Sequence, residues 1–187
     1  MSENLRRYDT ALDGFEAVLL SVWADAWNNP SPCDDWRTVD VAGHVIGGVK
    51  MVHHLVTTGE MPTEELSTQE LVGDNPAAAF AAARATLNQA LEAPGAMDKV
   101  VKSPFGTMPV DPALGIFVLE VLTHTWDLAR GAGLDVRLDP ELVRVCGDSI
   151  RPMDEMIRVE GVFGPKIEPP PGADEQTKLM AFLGRPA

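Results

Sequence analysis

Basic residues are scarce in this chain of 187: 15 lysines and arginines stand against 28 aspartates and glutamates, a formal charge of −13. A surface of that sign repels phosphate backbones and anionic headgroups, so neither nucleic acid nor membrane is expected as a partner. No apolar run approaches the roughly 18 residues a membrane span needs, and the opening MSENLRRYDT lacks the apolar stretch of a secretory signal. A soluble, cytoplasmic protein is expected. Cysteine is nearly absent, with only Cys33 and Cys146. Two thiols cannot form a disulfide framework or an all-cysteine zinc site, and both are expected to stay reduced. Strand patterns are missing too; VVKSPFGTMPV, over 100–110, allows at most a small hairpin.

What is present is helix. Leu5, Tyr8, Leu12, Phe15, Leu19 and Val22 recur every three or four residues, which predicts an amphipathic helix from about residue 4 to 27, stopped by Asn28-Asn29-Pro30-Ser31-Pro32. Thr38 predicts the N-cap of a second helix carrying Val41, Val45, Ile46, Val49, Val52, Leu55 and Val56 and ending near Gly59. An acidic, polar connection follows over 60–75. Asn75-Pro76, Asp111-Pro112 and Asp139-Pro140 then each set a capping side chain before a proline suited to the first helical position. The helices they open run to about Leu91, to about Arg130, and through Leu142, Val145 and Ile150. A proline-rich stretch, VFGPKIEPPPGA, leads to a short helix over about 174–183. The expected fold is all-α: one domain over 1–187, a four-helix bundle with extra C-terminal helices and a proline-rich tail. The long connection after the second helix predicts a crossover.

Candidate chemistry gathers in the segment FVLEVLTHTWDLA, over 117–129, which is apolar on nearly every side. At about 100° per residue, Glu120, His124 and Asp127 share a stripe about 60° wide inside that apolar cylinder. A buried carboxylate must be protonated, hydrogen-bonded or bound to a cation, and a neighbouring imidazole makes a metal a natural answer. A satisfied Glu–His pair without metal is the plainer alternative. On the second helix His44 lies with Gly48, Met51 and Leu55 and is expected to face the core, whereas His53 and His54 are expected at the surface. Gly43, Gly47 and Gly48 each cost about 1 kcal/mol inside a helix, so something needs the space they leave: close helix packing, or a ligand near His44 that would use Gly47 and Gly48. His44, Glu120 and His124 form a three-ligand set with an open position, suited to zinc and also to nickel, iron or cobalt. Asp127 is placed beside it to orient a ligand or bind a polar part of the substrate, with a hydrogen bond within the bundle as the plainer alternative. Arg84, within about 40° of Phe80 on its helix, is a candidate to enter the cavity and meet a carboxylate or thiolate, and a surface arginine snorkelling along the helix is the equal alternative. Cys33 has no basic partner in the sequence and is not expected to be a ligand or nucleophile.

The sequence resembles a known family in four places: Trp23 to Trp27, Pro32-Cys33 followed by Trp36, Gly43-His44-Val45-Ile46-Gly47-Gly48, and Glu120 to Ala129 with His124, Trp126 and Asp127. Together these are similar to the DinB/YfiT-like metalloproteins, and within them to the branch related to the N-terminal domain of mycothiol-dependent maleylpyruvate isomerase. Val162-Phe163-Gly164-Pro165 and Leu183-Gly184-Arg185 extend the likeness over almost the whole chain. The resemblance implies a DinB-type bundle with a divalent metal on His44, Glu120 and His124. It also implies a thiol such as mycothiol in the open position, acting as nucleophile on an electrophilic substrate. The expected function is a thiol-dependent S-transferase or isomerase. Two alternatives stand beside it: a metal-binding protein without catalysis, acting as sensor, carrier or stress module, and a metal-dependent hydrolase with Asp127 as base. The tryptophan-rich loop and the proline-rich tail would cover the pocket or form a homodimer surface.

Overall fold

A computed structural model describes residues 1–64, 66–103, 106–158 and 163–186. Among these residues it is all-α apart from one antiparallel pair of strands. The long helices are α1 (Glu3–Leu19), α2 (Thr38–Thr58), α4 (Pro76–Leu91) and α5 (Val110–Gly131). The shorter ones are α3 (Thr68–Val72), α6 (Pro140–Ile150), α7 (Asp154–Ile157) and α8 (Glu175–Phe182). Strands β1 (Val100–Ser103) and β2 (Gly106–Pro109) pair antiparallel, Val101 opposite Met108; residues 104 and 105, within the stretch read as a hairpin, lie outside the described residues, as does Val162.

Several ends fall where the cap chemistry puts them. Gly59 closes α2 at a positive φ of 86°, a conformation glycine adopts without Cβ strain. Asn75, Asp139 and Asp174 each accept from a backbone N–H in the first turn of α4, α6 and α8. Three expectations shift. Thr38 is the first residue of α2 rather than its cap, and its hydroxyl donates to Asn29 O at 3.2 Å. The helix expected from Asp111 begins at Val110, because β2 runs straight into it and Val110 N donates back to Lys99 O. The first helix stops at Leu19, some eight residues early on the expectation of about 27. Beyond it only a short 3-10 turn, Ala26–Asn28, precedes α2, and Leu20 and Trp23 are exposed.

Each of α1 and α2 packs on both α4 and α5, so α1 and α2 occupy opposite corners of a four-helix bundle. Asn4 Nδ2 donates to Asp111 Oδ2 at 3.1 Å, bringing the starts of α1 and α5 together. These neighbours therefore run parallel, which requires the crossover expected from the long connection. Thr38, at the start of α2, lies against Gly131 at the end of α5, where a Cβ would come within 2.5 Å of its hydroxyl. Thus α2 is antiparallel to α5, and only glycine permits their closest approach. Tyr8, Leu12, Phe15, Ile46, Leu55, Phe80, Leu87 and Leu114 are fully buried at the centre, and burial of each such side chain contributes about 1.5–3 kcal/mol. No helix among the described residues is long and apolar enough to cross a membrane.

Candidate metal centre

The antiparallel contact of α2 and α5 sets His44 opposite Glu120 and His124, with one ligand atom from each within 4.8 Å of the others. His44 Nε2 is 3.3 Å from Glu120 Oε1. That spacing is within ion-pair reach but lacks hydrogen-bond alignment, so Glu120 Oε1 is buried with no hydrogen-bond partner. The two imidazoles meet edge to face at 4.7 Å between centroids. Trp36 packs over both rings, 4.9 Å from His44 and 5.9 Å from His124.

His44 departs from the expectation that it faces the core: its side chain is 44% exposed. The polar ring keeps access to solvent while the Trp36 indole packs against it. The three glycines of α2 divide in function. Gly43 and Gly47 admit α3, with an added Cβ meeting Thr68 Cγ2 at 2.9 Å and Leu71 Cδ1 at 3.3 Å. Gly48 faces the Glu120 carboxylate, whose oxygens would lie 3.5 Å from an added Cβ. Gly48 therefore leaves clearance at the cluster, while Gly47 serves close packing. His53 lines a separate groove with Lys50 and Glu70.

Behind His124 lies a second set of polar groups. Asp127, fully buried, has Oδ2 3.0 Å from His124 Nδ1. A carboxylate only accepts, so Nδ1 carries a proton, and in the neutral ring Nε2 is the nitrogen left to coordinate on the side of His44 and Glu120. Asp127 also accepts from the Cys33 thiol at 3.3 Å, and from Arg185 through Nε at 3.2 Å and Nη2 at 3.0 Å. Burial alone would raise the Asp127 carboxyl, but the hydrogen bonds from His124 and Arg185 outweigh it and hold the group below its usual range. Burial, then the charge of Asp127, push the Cys33 thiol up to about 12, so it stays protonated and donates.

The loop carrying Cys33 and Trp36 is shaped by backbone rather than by core. Trp36 N donates to Cys33 O at 3.1 Å and Ser31 N to Trp36 O at 2.9 Å. Asp35 sits inside that turn with φ of 62°, a left-handed conformation costly for a residue with a Cβ. The turn thus aims Cys33 inward at Asp127 and lays Trp36 over the imidazoles.

Of the residues singled out from sequence, His44, Glu120, His124, Asp127 and Gly48 converge. Arg84 does not join them: its guanidinium is held by Glu16 at 2.8 Å and Asp13 at 2.6 Å, with Asp9 at 3.6 Å, all on α1. Those carboxylates recur on one face of α1 and saturate the cation before it can reach a cavity. The arginine that does arrive is Arg185, and with it comes Cys33. Neither was legible as a partner of Asp127, since one follows it by 58 positions and the other precedes it by 94.

The fold and the cluster define a class: a helical bundle with two histidines and a carboxylate at the contact of antiparallel helices. The particular family follows from comparison. Residues 8–129 match the mycothiol maleylpyruvate isomerase N-terminal domain family, and the chain belongs to it. An uncharacterized protein of Mycobacterium tuberculosis, recorded in two strains, is 32% identical over 192 residues, covering 97% of each chain. The crystal structure of a variant of a mycothiol-dependent maleylpyruvate isomerase superposes with a TM-score of 0.61 at 18% identity, covering 85% of this chain and 73% of that one. That likeness supports the all-α fold.

Proposed function

We propose that this is a divalent-metal-binding protein in which His44, Glu120 and His124 hold the cation. A low-molecular-weight thiol, mycothiol or a close relative, binds beside them and serves as nucleophile in an S-transfer or isomerisation. The observation that carries the reading is Glu120 Oε1: buried, without a hydrogen-bond partner, and 3.3 Å from an imidazole nitrogen. A buried carboxylate oxygen without a hydrogen bond, set beside two imidazoles, is a donor set that a cation completes. Three protein ligands leave room for a further one, and the donor set suits zinc, with nickel, iron and cobalt as substitutes. When bound, such an ion lowers the proton affinity of a sulfur ligand toward neutral pH.

The chain's own residues supply the setting. Asp127 fixes the His124 tautomer, Gly48 leaves clearance beside Glu120, and Trp36 shields one side of both rings from water. His44, half open, borders the entrance by which a thiol and an electrophilic substrate would arrive. Asp127 already accepts from Cys33, His124 and Arg185, so it has little capacity left to take a proton from water. This favours thiol chemistry over hydrolysis with Asp127 as base. The family's mycothiol association supports the thiol as the second ligand.

The test is elemental analysis of protein purified without a histidine tag or chelator, followed by cobalt substitution and addition of mycothiol. About one equivalent of divalent metal is expected, lost in His44→Ala and Glu120→Ala. The cobalt form should gain a sulfur-to-cobalt charge-transfer band on adding the thiol. A wild type that retains no metal and refuses added zinc, nickel and cobalt would end the proposal; cobalt uptake without a thiol band would leave a metal-binding protein that does not use the thiol.

A further inference from the structure

Arg185 is nearly enclosed, its side chain 11% exposed. Its Nε and Nη2 form a fork on the two oxygens of Asp127, at 3.2 and 3.0 Å, while Nη1 donates to Leu183 O at 3.0 Å and the guanidinium lies 5.4 Å from the Phe163 ring. The segment that delivers it folds back on the bundle. Leu179, Met180 and Leu183 are buried, Gln176 Nε2 donates to Val136 O at 2.9 Å, and Ile167 N donates to Ala181 O at 2.8 Å. Gly184 turns the chain into the site at φ of 82°.

The fork has a geometric consequence. A carboxylate held by Cys33 and His124 alone engages only Oδ2, because both donate to that atom, and it remains able to rotate about its Cβ–Cγ bond. Two parallel donors from one rigid guanidinium fix its plane. Oδ2 then stands where it accepts from His124 Nδ1, which sets both the tautomer and the rotation of the ring and turns Nε2 toward His44 and Glu120.

We infer that Arg185 is a positioning residue of the ligand set, and that docking of the 163–186 segment is thermodynamically coupled to occupation of the His44–Glu120–His124 site by a divalent cation. The coupling rests on the metal reading above; the positioning of His124 does not. Linkage makes the effect reciprocal, so the factor by which docked Arg185 tightens cation binding is the factor by which the cation tightens docking. Groups that orient a ligand histidine commonly alter metal affinity by about 10–100-fold.

The experiment uses the full chain with zinc alone as probe. Wild type is compared with Arg185→Gln, Arg185→Lys and Arg158→Gln. Arg158 anchors the same segment, donating to Phe182 O at 2.6 Å and Gly164 O at 2.8 Å, and is not among the groups on Asp127 or His124. Long-range nitrogen spectra of 15N-histidine protein, recorded without metal, should show a single Nδ1–H tautomer for His124 in wild type and in Arg158→Gln, and a mixture in Arg185→Gln. Zinc affinity by chelator competition should fall about 10–100-fold in Arg185→Gln, and less in Arg185→Lys, which keeps the charge but not the fork. Zinc should slow amide exchange over 175–185 in wild type and not in Arg185→Gln. A wild-type tautomer and wild-type zinc affinity in Arg185→Gln would overturn the inference. So would a tautomer mixture in Arg158→Gln whose 175–185 amides stay as protected as in wild type, since His124 would then lose its orientation with Arg185 still docked. A wild type that binds no zinc removes the metal reading and the coupling with it, and the tautomer spectra still decide whether Arg185 positions His124.

Discussion

The two sides of the His124 imidazole differ in how many of the surrounding polar groups have partners. On the Nδ1 side, Asp127 accepts from His124, Cys33 and both ends of the Arg185 fork, and all of it is buried or nearly so. On the Nε2 side, Glu120 Oε1 accepts from nothing and His44 is exposed. A fold that satisfies one carboxylate with several donors and leaves another, on the same helix seven residues away, with an orphaned oxygen is not short of donors. The closed side acts as a fixed base plate and the open side as the place where something else completes the coordination.

The sharpest way to break the comparison is to empty the closed side. Asp127→Ala leaves the Arg185 guanidinium and the His124 Nδ1–H enclosed without an acceptor, and removing one member of a buried pair costs about 3–5 kcal/mol. Urea unfolding should show a loss of that order; a loss below about 1 kcal/mol would mean that Arg185 escapes to water and the closed side is not closed. The same carboxyl gives a pH dependence of known sign. Its folded value is depressed, so its contribution is complete above the ordinary aspartate range near 4 and is lost as pH falls through the lower folded value. Acid unfolding of Asp127→Asn should accordingly lack that component.

Emptying the open side should do the opposite. Glu120→Gln removes a charge whose inner oxygen has no donor, so without metal its stability should equal wild type or exceed it by about 1 kcal/mol. The rise in melting temperature on adding zinc should vanish. Thermal melts with and without zinc check both halves, and a large loss of stability in the metal-free variant would show that Glu120 is already satisfied.

The open side was the legible one. His44, Glu120 and His124 could be read because helical periodicity puts Glu120 and His124 on one stripe, and because an ionisable pair in an apolar helix advertises its cost. Glycines beside His44 marked the space, although only Gly48 faces the cluster. The closed side was illegible for a physical reason: Cys33 is delivered by a turn with Asp35 at positive φ, and Arg185 by a tail folded across the bundle. Neither placement is encoded in a periodic pattern. For Arg84, wheel geometry gives the direction on α4 but not the carboxylates of α1 waiting there. Helix ends were readable where an Asn or Asp caps ahead of proline, as at Asn75 and Asp139. Asp111 failed because its carboxylate links to Asn4 and β2 supplies the start of α5.

Thiol reactivity sharpens the comparison with a smaller effect. Cys33 is pushed up to about 12 by burial and the Asp127 charge, and Cys146 to about 12 by burial. Both should react with a disulfide reagent at neutral pH far more slowly than in the unfolded chain. Asp127→Asn should speed Cys33 selectively, because removing the charge lowers the cost of the thiolate while Cys146, between Leu142 and Ile150 on α6, is untouched. Equal rates for Cys33 in both proteins would place its inertness on burial alone.

The smallest change tests whether the clearance on the open side has a use. Gly48→Ala sets a methyl 3.5 Å from both Glu120 oxygens, an ordinary contact that requires nothing to move. Helix propensity then predicts a gain of up to about 1 kcal/mol in metal-free stability. If the space at Gly48 serves only packing, that gain comes with unchanged zinc affinity. If a cation and its further ligand occupy it, the methyl crowds the carboxylate as it turns to coordinate, and zinc affinity should fall several-fold while stability rises. Gly43→Ala provides the contrast on the same helix. Its methyl meets Thr68 Cγ2 at 2.9 Å, so the contact with α3 must shift and any propensity gain is reduced, with no reason for zinc affinity to change.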